Sequence, residues 1–220
     1  MVTLDGPRVA PASGGPARQL VVLLHGLGAD GADLIDLAPH WAAALPDAAF
    51  VAPNAPEPCD MAPFGRQWFS LQDRAPARVE AGLRAVRPVL DAFLERELTR
   101  HALPPEALAL VGFSQGCMLA LFAGLRMGRG PAAILGYSGA LVAPESLATE
   151  ALARPPVLLV HGEADEVVPA ARSRAAESAL RAAGVPVRAL YRPGLAHGID
   201  PEGLAAGLKT LRTGFGMTAA

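Results

Sequence analysis

A serine stands at the centre of the pentapeptide GFSQG, residues 112–116, between two apolar runs. The run before it, 108–111, has the short continuous form of a buried strand, and the run after it has the spacing of a helix. A serine in a sharp strand-to-helix turn, with glycine two residues before and two after, is the pattern of a nucleophile elbow. Larger side chains at the glycine positions would collide with the neighbouring strand and helix. The pattern therefore predicts that Ser114 is a nucleophile exposed above a sheet.

A serine hydroxyl is a weak nucleophile at neutral pH, so it needs a base within hydrogen-bond reach. His197, in the glycine-flanked loop GLAHG, is our candidate base, and Asp165 is our candidate for the acid that orients it. Glu163 and Glu166 are alternatives to Asp165 on residue type alone. The order Ser, Asp, His along the chain is that of α/β-hydrolases. Because only a neutral histidine can accept the serine proton, we expect the reaction rate to rise with pH through a histidine titration.

Ester cleavage through a tetrahedral intermediate also needs hydrogen-bond donors for the developing oxyanion. The elbow supplies the backbone amide of Gln115, the residue after the nucleophile. We expect the second amide to come from Leu27, in the glycine-rich loop HGLGADG that follows the apolar run 19–24. His25 and His161 follow predicted strands directly, and we expect them to make structural hydrogen bonds rather than to take part in catalysis.

The elements that must position these residues alternate between buried-strand and helix patterns along the whole chain. This alternation predicts an α/β fold with a mostly parallel central sheet and helices on both faces. In such a sheet the functional residues collect at the carboxyl ends of the strands, so distant residues can meet there. The predicted strands are 19–24, 48–53, 108–113, 132–137, 156–160 and 185–191, with an edge strand within 2–9. The predicted helices are 30–44, 76–100, an elbow helix ending near 128–130, 170–183 and 201–212, with Pro88 kinking or dividing the second.

Residues 54–75 form a long irregular segment in this prediction, rich in proline and aromatic side chains. Long loops in compact domains often act as lids or binding walls, although this cluster could also serve only to anchor the loop by packing. We predict that substrate contacts come from Met61, Trp68, Phe69 and Leu71, together with Leu195 near the candidate base. No insertion between strands is long enough for a separate cap domain, so we expect an open site for short to medium acyl groups.

Composition narrows the class of protein further. The chain has 220 residues, 51% of them apolar, and this length and core content favour one domain spanning 1–220. A net charge of -2 without a basic run argues against a nucleic-acid partner. No apolar run approaches the ~18 residues of a membrane span, so we expect no stable membrane insertion and a soluble cytoplasmic protein.

The two cysteines make neither a disulfide framework nor a C-x-x-C motif, and Cys117 is interpreted as a small core residue. We predict no cofactor and no metal. The predicted partner is a small-molecule ester or thioester, and the sequence is compatible with a homodimer.

Taken together, five motifs resemble the phospholipase/carboxylesterase family of α/β-hydrolases, which includes the acyl-protein thioesterases. The similarity extends from about 19 to 212. The motifs are LLHGLGADG, RQWFSL, GFSQG, HGEADEVVP and GLAHG. The resemblance implies a triad of Ser114, Asp165 and His197, with the amides of Leu27 and Gln115 as oxyanion donors. It also implies that the tryptophan loop lines an acyl pocket, and that esters, thioesters or lysophospholipids are substrates.

One position departs from the eukaryotic members that the chain resembles. Protein thioesterases of that group usually carry aspartate after the Trp-Phe pair, whereas this chain has Ser70. The departure favours a bacterial-type carboxylesterase over a protein-depalmitoylating enzyme.

Two other functions are compatible with this fold, and each predicts a different set of residues at the site. A lactone hydrolase of the dienelactone hydrolase type resembles this fold, but it commonly uses cysteine at the elbow. A non-catalytic binding module on the same fold would normally lack one member of the triad. Fluorophosphonate labelling of Ser114 separates an esterase from a binding module.

Overall fold

The central sheet organises the part of the chain that the computed structural model describes, residues 2–217. Its strands are β1 (Arg8–Val9), β2 (Gln19–Leu24), β3 (Ala48–Val51), β6 (Leu108–Phe113), β7 (Ala133–Tyr137), β8 (Val157–Gly162) and β9 (Val187–Arg192). Within these residues the seven strands follow the order β1-β3-β2-β6-β7-β8-β9. Every neighbouring pair is parallel except β1 with β3. The predicted mostly parallel sheet is confirmed.

Helices cover both faces of this sheet. They are α1 (Gly31–Ile35), α2 (Ala38–Ala42), α3 (Pro76–His101), α4 (Gln115–Gly124), α5 (Leu147–Glu150), α6 (Ala171–Ala182) and α7 (Pro201–Gly214), with short 3-10 turns at Pro105–Ala107 and Pro144–Ser146. Alternate residues of the central strands enter two separate cores. Leu20, Val22 and Leu24 pack with α3, α4 and α6, while Val21 and Leu23 pack with α1, α2 and α7.

The helix predicted over 30–44 is instead two short helices. Asp30 caps α1 by accepting hydrogen bonds from the amides of Ala32 and Asp33 at 2.9 and 3.2 Å. A continuous helix would require an amide N–H at Pro39, which proline lacks, and so the chain ends α1 and begins α2 with this proline in its first turn. By contrast, α3 continues through Pro88 as a single helix.

The segment 54–75 is more ordered than the sequence predicts. It contains a small antiparallel pair, β4 (Glu57–Pro58) with β5 (Arg66–Gln67). The edge strand predicted within 2–9 is limited to Arg8–Val9. Across the described residues, no helix has both the length and the apolar character needed to cross a bilayer.

Candidate active site

Ser114 occupies the turn between β6 and α4 in a strained backbone conformation, with φ of 53° and ψ of -114°. Non-glycine residues rarely adopt positive φ, at a cost of order 1–3 kcal/mol. The flanking glycines make the turn feasible. A Cβ at Gly116 would overlap the carbonyl of Leu24 on β2, and one at Gly112 would overlap the backbone of Gly116. The collisions that the sequence predicts are therefore present, and the serine lies at the carboxyl edge of the sheet.

His197 and Asp165 meet at the same edge, although 32 positions separate them in the sequence. The His197 Nδ1 lies 2.7 Å from Asp165 Oδ2. Because a carboxylate can only accept, Nδ1 carries the proton, and Nε2 of the neutral ring is the free acceptor. The Phe113 ring, next to Ser114, packs against the His197 ring with centroids 4.8 Å apart. Ser114 and His197 line one cavity.

Asp165 is held in place by two further backbone donors. Its Oδ1 accepts hydrogen bonds from the amides of Val167 and Val168, at 2.9 and 2.8 Å. Burial works against ionisation of this carboxyl, but the hydrogen bonds from His197 and the Val168 amide outweigh burial and hold its pKa below its ordinary value. Asp165 is therefore an ionised acceptor at neutral pH.

The two neighbouring glutamates, both candidates from residue type alone, lie elsewhere. Glu163 is exposed and forms an ion pair with Arg174 at 2.7 Å, and Glu166 is also exposed. Of these three acids, Asp165 is the one that contacts His197.

His161 lies behind Asp165 and is fully buried. Its Nε2 is 2.7 Å from the Val168 carbonyl and 3.2 Å from Asp165 Oδ2, while its Nδ1 is 2.6 Å from Ser173 Oγ. Since the carbonyl can only accept, Nε2 carries a proton and also points toward the carboxylate. The structural role expected for His161 agrees with these contacts, which add a link to the carboxylate that the sequence did not indicate.

His25 is likewise structural. The Ala55 amide donates to its Nε2 at 3.0 Å, which leaves Nδ1 to donate to the Gly26 carbonyl at 2.7 Å. Burial lowers the pKa of this histidine, so the neutral form is favoured.

The loop that carries His197 is fixed at both ends. Arg192 forms an ion pair with Asp200 at 2.6 Å, and Asp200 also caps α7 by accepting from the Gly203 amide. Near the middle, the buried Ser138 hydroxyl donates to the Gly198 carbonyl at 3.3 Å. Sequence reasoning missed Ser138. Its position directly after strand β7, at the functional edge of the sheet, was the available signal.

The candidate oxyanion amides lie at the ends of two neighbouring strands, β2 and β6. A Cβ at Gly26, just before Leu27, would lie 3.4 Å from the Ser114 Cβ, so this loop runs beside the nucleophile. Among the described residues the Leu27 amide has no hydrogen-bond partner. Gln115 begins α4, where an amide has no acceptor within the helix. Both amides are therefore available beside the serine.

A cavity of about 880 Å³ opens over Ser114. Its wall is largely apolar and comes from the loop before α3, the start of α4, the segment after β7 and the start of α6. The apolar side chains include Leu71, Val79, Met118, Leu141, Val142 and Val168. The residues after β7 were not identified from the sequence, because that segment had no recognisable pattern.

Of the five predicted substrate contacts, Leu71 alone lines this cavity. Trp68 and Phe69 are 1% and 4% exposed and belong to the core. The Gln115 side chain holds this segment inward through hydrogen bonds to the Trp68 amide and the Phe69 carbonyl. Met61 is 48% exposed on the turn between β4 and β5. Leu195 lies outside the cavity wall, and its backbone carbonyl accepts from the Ala164 amide at 3.0 Å. The structure therefore places these four residues away from the cavity wall to which Leu71 belongs.

Comparison with known proteins places this arrangement in a family. A family model described as phospholipase/carboxylesterase matches residues 5–214. The chain belongs to the phospholipase/carboxylesterase family. This membership confirms the resemblance read from the motifs, and it makes the protein a serine ester hydrolase with the α/β-hydrolase fold.

Individual members of the phospholipase/carboxylesterase family agree with this assignment. The crystal structure of esterase PE8 is 44% identical with a TM-score of 0.92, covering 96% of this chain and 99% of that one. Esterase YpfH of Escherichia coli K12 is 31% identical over 199 residues, which are 90% of this chain and 83% of YpfH. Acyl-protein thioesterase 1 of Gibberella zeae is 28% identical over an alignment of 222 positions that covers 91% of this chain and 94% of that protein.

Proposed function

We propose that the protein is a serine carboxylesterase that hydrolyses short to medium acyl esters through an acyl-enzyme intermediate. The observation that carries this proposal is the convergence, at one cavity, of a strained, partly exposed serine and a histidine paired with a buried carboxylate. The roles assigned are nucleophile for Ser114, general base for His197 and orienting acid for Asp165.

In the acylation step, Ser114 Oγ attacks the acyl carbon while its proton passes to Nε2 of His197. The carbonyl electron pair moves to oxygen, and the amides of Leu27 and Gln115 stabilise the resulting oxyanion. Asp165, ionised and fixed by two backbone amides, stabilises the imidazolium that forms. Collapse of the intermediate then breaks the ester bond, and His197 gives its proton to the departing alkoxide or thiolate.

In the deacylation step, water takes the place of the serine hydroxyl. His197 accepts a proton from water as the oxygen attacks the acyl carbon, and the same two amides stabilise the second oxyanion. Collapse returns the proton to Ser114 Oγ and releases the carboxylic acid. The enzyme is restored without a cofactor.

The size and lining of the cavity support short to medium acyl esters as the substrates. Its apolar wall fits an acyl chain, and its volume lies in the range of small-ligand sites. Its mouth is formed by loops from the sheet edge rather than by a cap, so the leaving group can be an alcohol or a thiol that remains in solvent. Thioesters and lysophospholipids are substrates within the same proposal.

An acyl-chain series tests the proposal. We expect p-nitrophenyl esters from acetyl to octanoyl to be hydrolysed, with Ser114→Ala as the blank, and a fluorophosphonate to label Ser114. A maximum at palmitoyl would contradict the chain-length assignment. Absence of labelling together with absence of hydrolysis would instead support a binding module, and preference for cyclic enol lactones would support a lactone hydrolase.

A further inference from the structure

The side chain of Gln115 makes contacts that the proposed reaction does not use. This residue is 1% exposed. Its Oε1 accepts a hydrogen bond from the Trp68 amide at 2.9 Å, and its Nε2 donates to the Phe69 carbonyl at 2.7 Å. The glutamine side chain therefore bonds to the backbone of Trp68 and Phe69 through both its carbonyl oxygen and its amide nitrogen, although 47 positions separate Gln115 from Trp68.

Trp68 continues this connection from the segment to strand β2. Its indole Nε1 donates to the His25 carbonyl at 2.9 Å, and its ring packs against the His25 ring with centroids 5.3 Å apart. His25 is itself fixed by its two ring hydrogen bonds. Trp68 therefore fixes His25, the residue from which the loop that carries Leu27 begins.

Arg66 holds the other end of the same loop. Its carbonyl accepts from the Gly28 amide and its amide donates to the Ala29 carbonyl, both at 2.9 Å. Gly65, with φ of 77°, lies so close to the Gly28 backbone that a Cβ there would overlap the Gly28 carbonyl. The segment 65–69 thus contacts the loop on both sides of Leu27.

We propose that Gln115 and Trp68 are positioning residues for the oxyanion hole. Gln115 offers its backbone amide to the oxyanion while its side chain, through segment 65–69, fixes where the second amide lies. This inference rests on the proposed function, because it assigns the Leu27 amide to the oxyanion.

The hydrogen bonds, rather than the volume of the glutamine, are what the proposal requires. An apolar side chain of equal length would fill the space but leave the Trp68 amide and the Phe69 carbonyl buried without partners. The segment would then shift to satisfy them, and it would carry the Leu27 loop with it. A misplacement of about 1 Å in a catalytic donor costs up to about a hundredfold in rate.

Gln115→Met is the decisive variant, because it keeps the volume and the backbone amide. We expect kcat to fall about tenfold to a hundredfold with little change in KM, because the donors act on the transition state. Affinity for an alkyl boronic acid, which forms a tetrahedral adduct on serine, should fall in parallel. Trp68→Phe removes the Nε1 donor to the His25 carbonyl together with part of a buried ring, and a loss of kcat of the same kind is expected.

Gln19→Met is the matched control. Gln19 is a partly buried glutamine at the start of β2, at the edge of the sheet opposite the one that carries Ser114. We expect this variant to keep the parental kcat and boronate affinity. Equal losses of kcat in the two variants, or a Gln115→Met enzyme as active as the parent, would overturn the proposal.

Hydrogen exchange separates this inference from the proposed function. We expect amide exchange in peptides covering 25–30 to accelerate in Gln115→Met and to stay at the parent level in Gln19→Met. If the parent hydrolysed no ester, the proposed function would fail, yet the exchange result would still decide whether Gln115 positions the loop. Unchanged exchange in Gln115→Met would refute the positioning role whatever the activity.

Discussion

Asp165 controls which nitrogen of His197 carries the proton. With an ionised acceptor 2.7 Å from Nδ1, the neutral ring is left with an unprotonated Nε2, which is the atom that accepts the serine proton in the proposed reaction. In Asp165→Asn the amide can instead donate to Nδ1, which favours the tautomer that cannot act as a base. We expect kcat to fall by about four orders of magnitude at neutral pH.

The measurement for Asp165→Asn is kcat for p-nitrophenyl butyrate with unchanged circular dichroism as the folding control. Glu163→Gln, which removes an exposed carboxylate nearby, should keep parental activity. A loss of less than tenfold in Asp165→Asn would remove Asp165 from the proposed triad.

Cys117 lies three residues after the nucleophile, but its side chain is buried in the core. It is 1% exposed, and burial raises the pKa of its thiol to about 12. The thiolate is the reactive form, so the native thiol should resist alkylation. We expect iodoacetamide at pH 8 to leave Cys117 unmodified in the folded protein and to modify it in urea, as read by peptide mass spectrometry. Rapid modification of the native protein would contradict the core role.

At the scale of elements, the ion pair of Arg192 with Asp200 joins the end of β9 to the start of α7 and closes the loop that presents His197. Burial works against ionisation of Asp200, but hydrogen bonds from Arg192 and the Gly203 amide outweigh it and lower its pKa from 3.8. A carboxyl with a depressed pKa stabilises the fold fully above its unfolded pKa, and this contribution is lost as pH falls through the folded value.

We expect Asp200→Asn to cost about 1 kcal/mol at pH 7, since asparagine still caps the helix but lacks the charge. The difference from the parent should shrink as pH falls below the ordinary aspartate pKa of 3.8, where the unfolded chain begins to take up the proton, and disappear below the lowered pKa of the folded carboxyl. Urea unfolding at pH 7 and pH 3 measures both values. A difference that is the same at the two pH values would show that the charge of Asp200 does not stabilise the loop.

Local patterns predicted the elements that carry the candidate triad, because a buried strand followed by glycine, serine and a helix leaves few alternative structures. The direction of the aromatic pair Trp68 and Phe69 could not be predicted in this way. It depends on the side chain of Gln115, 47 positions away from Trp68, and a pattern within one segment contains no information about such a contact. Ser138 and its contact with the Gly198 carbonyl were missed for the same reason.

At the scale of the whole molecule, the two cores are built from neighbouring residues of the same strands, and the candidate site lies at the edge where those strands end. The site therefore adds strain and buried polar groups to a fold whose stability comes from elsewhere. Such an arrangement trades some stability for a preorganised site, and relieving the strain at one residue should raise the global stability.

Ser114→Gly tests this trade directly, because glycine adopts a φ of 53° without the penalty that serine incurs. Relief of about 1–3 kcal/mol, less about 0.5–1 kcal/mol for the greater freedom of glycine in the unfolded chain, leaves a net gain near 1 kcal/mol. For a protein of this size that gain corresponds to a rise in Tm of about 2–4 °C. Ser114→Ala is the control, since it removes the hydroxyl but keeps the strain, and its Tm should stay near that of the parent. Calorimetry of the three proteins decides the matter: equal melting temperatures for Ser114→Gly and Ser114→Ala would show that the elbow stores no strain that the rest of the fold must support.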